Sequence, residues 1–296
     1  MADPLFSPGE ATDLTYINLQ GGTCVAARDF AEHLWTTYHK FADPHFLTEI
    51  RHNFHARLWE MYLTCSLLES AATRGYRVSC PKPGPDILLE IESQRIWVEA
   101  IIATAGAAGQ PDSVIEPNPD GSGKIPEEKL ILRYSTAIRD KYLKYQKYLD
   151  GGVVKEADAF VVAINGAALP YKWAWAEKDA PRFLKALYPI GQYRVLLDRR
   201  TGKIVAEDNE PRFRILKANQ AEVPTQTFLD ERSSAISAVL CSYADVGSYS
   251  RPLGVDFELA HNPKGRCPIP HRVIPAHRSW VADLTGEEGQ LFSRTG

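Results

Sequence analysis

The chain has 296 residues, room for one large domain or two modest ones, and its 44% hydrophobic and 24% charged composition excludes wholesale disorder. A formal charge of −3 argues against a non-specific nucleic-acid coat protein, which is normally basic, but leaves a nuclease open because local patches outweigh the sum. Cys24, Cys65, Cys80, Cys241 and Cys267 are odd in number, scattered and without a CxxC pair, so neither a disulfide framework nor a zinc knuckle is indicated.

The opening MADPLFSPGE lacks a basic segment followed by an apolar run and does not read as a signal peptide. No stretch approaches the roughly 18 apolar residues needed to span a bilayer. The expectation is a reduced, cytoplasmic, soluble protein with no membrane partner.

Residues 1–45 read as a helical lead-in: irregular to Gly21 and Gly22, then a helix over 25–40 with Phe30, Leu34 and Tyr38 on one face, broken by ADPHF. One long helix is predicted over 46–73 with Phe54, Leu58, Tyr62, Cys65 and Leu68 as its stripe, and Gly75 is placed to stop it. The period then changes. YRVSC, DILLEIE and RIWVEAIIA read as strands joined by the turns KPGP and ESQ. Residues 105–126 are rich in Gly, Pro, Asp and Ser and form a long loop, a kind of segment that is disproportionately functional. A helix over 127–149 and a buried strand at ADAFVVAIN complete an α/β core spanning 46–170. QYRVLLD and KIVAED flank RRTG as a hairpin, SAISAVLCSYA and GVDFELA read as strands, and HNPKGRCPIPHRVIP reads as irregular. With no clean linker, 171–296 is expected to be a C-terminal extension continuous with the core. The fold class is α/β, a central mixed sheet flanked by helices.

Three acids occupy costly positions. Glu60 lies on the long helix beside its apolar stripe, and Asp86 and Glu99 lie on neighbouring strands among apolar residues. A carboxylate in such a setting needs a cation, a donor or a proton. If DILLEIE and RIWVEAIIA pair, Asp86 at the start of one and Glu99 late in the other reach the same end of the sheet. Magnesium takes oxygen ligands, only one or two of them protein carboxylates, so Asp86 and Glu99 with the Ala100 carbonyl form a candidate site for Mg2+ or Mn2+. The competing reading is structural: strand-edge carboxylates are usually solvated, and Arg57 is placed to pair with Glu60 one turn away.

The run from WEMYL through GPD to WVEA resembles the core of the PD-(D/E)XK, or restriction-endonuclease-like, superfamily, whose pattern is a helix acid, Pro-Asp at a strand, then Glu-x-Lys on the next strand. Glu60, Pro85–Asp86 and Glu99 match in order and spacing, over roughly residues 50–165, less than half the chain. The resemblance implies a restriction-endonuclease-like core, divalent metal at Asp86 and Glu99, an auxiliary role for Glu60, and hydrolysis of phosphodiesters in DNA. One position departs. The lysine that in the family positions the attacking water is Ile101 here, which implies either relocation or loss of activity. Lys141 falls on the apolar stripe Leu130, Tyr134, Ile138, Tyr145, Leu149 of the 127–149 helix and is the first candidate for the relocated cation; the opposing reading is a packed stem with its ammonium snorkelling to water. Arg133 is the second. Arg139, Lys144 and Lys147 read as a solvated basic face that could track a phosphate backbone.

Other signals fail. DGSGKIP lacks the first glycine and the Ser/Thr of a phosphate loop, no HExxH occurs, and no GxSxG elbow exists. Trp59, Trp97, Trp173 and Trp175 read as packing residues, with YKWAW as a stacking surface the lesser reading. The leading expectation is therefore a metal-dependent nuclease acting on DNA. The alternative is a degenerate member of the same fold serving as a binding or interaction module. A small-molecule enzyme with the 105–126 loop as lid has no motif behind it.

Overall fold

The computed structural model describes residues 3–92, 94–120, 123–172, 179–284 and 290–295. The expectation for Trp173 and Trp175 lies outside the described residues. In chain order the elements are α1 (Leu14–Gln20), α2 (Val25–Tyr38), α3 (Phe46–Glu49), α4 (Phe54–Arg74), β1 (Arg77–Ser79), β2 (Ile87–Ile91), β3 (Gln94–Ile102), α5 (Glu127–Asp150) and β4 (Ala159–Asn165). Then follow α6 (Arg182–Leu187), β5 (Ile190–Leu197), β6 (Ile204–Pro211), β7 (Arg214–Leu216), β8 (Glu222–Pro224), β9 (Ala238–Ser242), β10 (Glu258–His261), β11 (Arg278–Asp283) and β12 (Gln290–Thr295).

The architecture is mixed α/β. One eight-stranded sheet runs β1-β2-β3-β4-β9-β10-β11-β12. It is antiparallel from β1 to β3, parallel through β3, β4 and β9, and mixed beyond. The C-terminal strands β9 to β12 thus continue the sheet begun by β1 to β4.

Alternation along each strand divides the side chains between two cores. Ile96, Val98, Val161, Ala163 and Leu240 face α2 and α4, and Tyr16 and Leu19 of α1 join this layer. Trp97, Phe160, Val162, Ile164 and Val239 face α5 and α6. β4 is buried at every position, as expected of a central strand covered on both faces.

Two expectations need correction. Residues 14–20 form a helix where an irregular segment was expected. Its cap is Asp13, whose Oδ1 accepts the N–H groups of Thr15 (2.9 Å) and Tyr16 (3.2 Å). The predicted helix over 46–73 is two helices. Asn53 leaves helical geometry at φ −140° and ψ 57°, and the freed N–H of Phe54 donates to Asp13 Oδ2 at 3.0 Å. A carboxylate distant in sequence therefore serves the start of α4 and competes with continuation from α3. Gly75 does end α4, in the left-handed region at φ 71° with nothing near its Cα to obstruct the turn.

Candidate functional site

The site is built where β2 begins, one step beyond the last pair of its ladder with β3, Ile87 opposite Val98. With no strand residue left to pair, the Ala100 N–H would be an orphan donor. Asp86 takes it on Oδ2 at 2.8 Å. The N–H and C=O of one strand residue leave on the same edge, so the Ala100 carbonyl opens toward Asp86 as well. Lys82 Nζ stands 3.8 Å from Asp86 Oδ1.

Glu99, next along β3, points to the opposite face of the strand from Val98 and Ala100, toward α5. It is fully buried. Its Oε1 accepts from Lys141 Nζ at 2.7 Å and from Lys144 Nζ at 2.6 Å, while Oε2, equally buried, takes no hydrogen bond. Lys141 reaches Glu99 because α5 turns the stripe of Leu130, Tyr134, Ile138 and Tyr145 into the second core, carrying the lysine with it. Lys144 lies one turn on, with its ammonium 5.5 Å from the centre of the Tyr148 ring. Burial works against the Lys144 charge, but the Glu99 carboxylate outweighs it and holds the ammonium above its ordinary range. Burial, then the Glu99 charge, raises the Tyr148 hydroxyl.

Glu60 comes from the other layer. Its Oε1 accepts from Tyr38 Oη at 2.7 Å and its Oε2 from Arg57 Nη1 at 2.6 Å. Arg57 is also held by Asp43 at 3.5 Å and by Glu49. Burial and then the Asp86 charge push the Glu60 carboxyl above the usual range, with Tyr38 and Arg57 opposing. Arg57, Glu60, Asp86, Ala100, Lys141 and Lys144 line one cavity of about 260 Å³. Glu99 does not line it; it is tied to it through the two ammoniums on its Oε1.

Of the residues singled out in the sequence, Glu60, Asp86, Ala100 and Lys141 thus line one cavity, and Glu99 is joined to it by its hydrogen bond from Lys141. Arg133 is not: its Nε donates to the Thr104 carbonyl at 2.6 Å, bracing the start of the long loop, and it does not line the cavity. Lys144, read as part of a solvated face, belongs to the site. Its signal was its place one turn beyond Lys141, within reach of the same carboxylate. Tyr38 carried no signal, since it also fits the apolar stripe of α2.

Among the described residues no three or more His, Cys, Asp and Glu side chains group to hold a metal ion. Magnesium needs only one or two protein carboxylates; Asp86 and Ala100 line the cavity, while Glu99 carries two ammoniums on Oε1 and has no hydrogen-bond partner on Oε2. A larger groove of about 810 Å³ lies by the start of β3. Within it Arg77 pairs with Glu90 and Arg95 with Asp158, each at 3.5 Å.

No family model, no curated protein and no solved structure matches the chain. Among the described residues no helix is long and apolar enough to cross a membrane.

Proposed function

We propose that the protein is a divalent-metal-dependent nuclease with a restriction-endonuclease-like core, hydrolysing phosphodiester bonds in DNA at the cavity between α4, β3 and α5. The observation that carries this reading is the placement of Lys141 Nζ 2.7 Å from Glu99 Oε1, in a cavity shared with Asp86, which supplies from a helix the cation that Ile101 does not. Mg2+ or Mn2+ would be held by Asp86, Glu99 and the Ala100 carbonyl. Such an ion lowers the pKa of water and neutralises charge developing on a phosphoryl group.

The chain's own groups do the rest. An ammonium has three N–H donors, of which Lys141 spends one on Glu99, leaving donors for a phosphate oxygen or the attacking water. Lys144 shares Glu99 Oε1 with Lys141 and adds positive charge at the mouth, its side chain 45% exposed. Glu60, held on both oxygens by Tyr38 and Arg57, is fixed to orient water beside Asp86.

The test is cleavage of duplex DNA by the full chain with Mg2+ or Mn2+. Asp86→Asn with Glu99→Gln is expected to abolish cleavage, and Lys141→Met to lower its rate about 100-fold, the scale of losing one electrostatic donor. Undiminished cleavage by the double variant sinks the reading.

A second reading rests on the same ion triad. With two lysines on one oxygen, Glu99 is compensated without a metal, as suits a non-catalytic binding module. Absence of Mn2+ binding by calorimetry, together with absence of cleavage, selects it.

A further inference from the structure

The β5–β6 hairpin is largely exposed along both strands. It forms its own two-stranded sheet, and Val195, Leu196, Leu197, Ile204 and Val205 are exposed by 42 to 65%. Five aliphatics of one hairpin in water are unusual for a surface with nothing to cover it. The charge at the tip says what covers it. From Arg194 to Val205 there are four basic residues and a single acid, Asp198. That acid is turned inward on the loop: its Oδ1 accepts the N–H groups of Arg200 (2.7 Å) and Thr201 (3.1 Å), which hold its carboxyl below the usual range. Arg194 is paired with Asp208. Arg199, Arg200 and Lys203 are exposed and have no ion-pair partner among the described residues. The acids Glu207, Asp208 and Glu210 lie further down β6, so the tip is basic and the base acidic in a chain of net charge −3.

We propose that this hairpin is a duplex-DNA-binding arm that enters a groove tip-first, with Arg199, Arg200 and Lys203 on phosphates and the flanking aliphatics against base edges and sugars. Shape supports the match. The major groove is about 12 Å wide and admits a two-stranded ribbon, and apolar side chains can meet thymine methyls there. The arm is joined through α6 to α5, because Arg182 and Lys185 bind Glu127 at the start of that helix at 2.8 and 3.1 Å. It therefore stands on the same face of the sheet as Lys141 and Lys144. The inference rests on the nuclease reading for its choice of DNA over an acidic protein.

The experiment is fluorescence anisotropy of a labelled duplex with the full chain, without divalent metal, across a salt series. Arg199→Ala/Arg200→Ala/Lys203→Ala is expected to flatten the slope of log affinity against log salt by about 2.7, about 0.9 for each phosphate no longer neutralised. Between 50 and 200 mM salt the unaltered chain should then lose about 40-fold more affinity than the triple variant. Leu197→Ser/Val205→Ser should weaken binding at every salt concentration and leave the slope unchanged. These residues are solvent-exposed, and circular dichroism of each variant checks that the fold is kept. An unchanged slope in the triple variant overturns the inference. So does failure of the unaltered chain to bind duplex, or a concentration-dependent dimer that the serine variant alone dissolves, which would make a second copy the occupant. None of these touches the cleavage site, whose reading fails separately if Asp86→Asn/Glu99→Gln cuts DNA as well as the unaltered chain.

Discussion

Lys141→Met isolates the central interaction, since methionine keeps an unbranched stem and removes only the ammonium. At an effective dielectric of about 20, charges 2.7 Å apart attract by about 6 kcal/mol before desolvation is counted. Breaking a buried pair by removing one partner typically costs about 3–5 kcal/mol, because the other charge is stranded. Glu99 is not fully stranded here: Lys144 stays at 2.6 Å on the same oxygen, though its side chain is 45% exposed and more screened. The expected loss is therefore about 2 kcal/mol, a fall in Tm of roughly 3 °C for a chain of this size. Urea unfolding of Lys141→Met, Glu99→Gln and the double variant should give a coupling energy of about 2 kcal/mol. Additivity within about 0.5 kcal/mol would refute the claim that the two residues act as a buried pair. Mn2+ should raise the stability of Lys141→Met more than that of the unaltered chain, because Glu99 then regains a positive neighbour.

Two further outcomes follow from the surroundings of the cavity. The folded-state carboxyl of Glu60 lies above its unfolded value, so in the window between them the native state binds more protons and stability falls as pH rises. Glu60→Gln should flatten that fall from the ordinary carboxylate range upward, as read by denaturant midpoints across pH, and an unchanged profile would remove Glu60 as its source. Burial, and then the Glu60 charge, pushes the Cys80 thiol up to about 12, leaving about one thiolate in ten thousand at pH 8. Native-state alkylation should therefore label the exposed Cys24 well before the partly buried Cys80, and mass mapping with Cys80 labelled first would contradict this.

Much of the site could be read from the residues because strand alternation is a strict rule. Once β2 and β3 pair, Glu99 must share a face with Trp97 and Ile101, and Asp86 must sit at the open end of the ladder. Lys141 was legible from its place on an apolar stripe. Lys144 was missed despite its place one turn beyond Lys141, because a four-carbon stem can cross from a neighbouring face, and periodicity reports the position of Cβ rather than of Nζ. The helices failed where local signals were overruled at long range. Nothing near Asn53 announces a break, since the group that receives the Phe54 N–H is Asp13. α1 is only seven residues long and buries just Tyr16 and Leu19, too few for a periodic pattern. Beyond residue 170, β11 and β12 show little alternation of their own and owe their place to pairing with β10 and with each other.

Supplying the ammonium from α5 rather than from β3 has a mechanical consequence. On a strand, a lysine two residues after Glu99 would be locked to it by the pleat. Here Ile101 stays in the apolar layer, and the distance from ammonium to carboxylate depends on how Tyr134, Ile138 and Tyr145 seat the helix. One residue of helical slippage moves a side chain about 1.5 Å along the axis and a quarter-turn around it. Enlarging or trimming those three side chains, none of which lines the cavity, is thus a way to retune the charge inside it without altering any group that lines it.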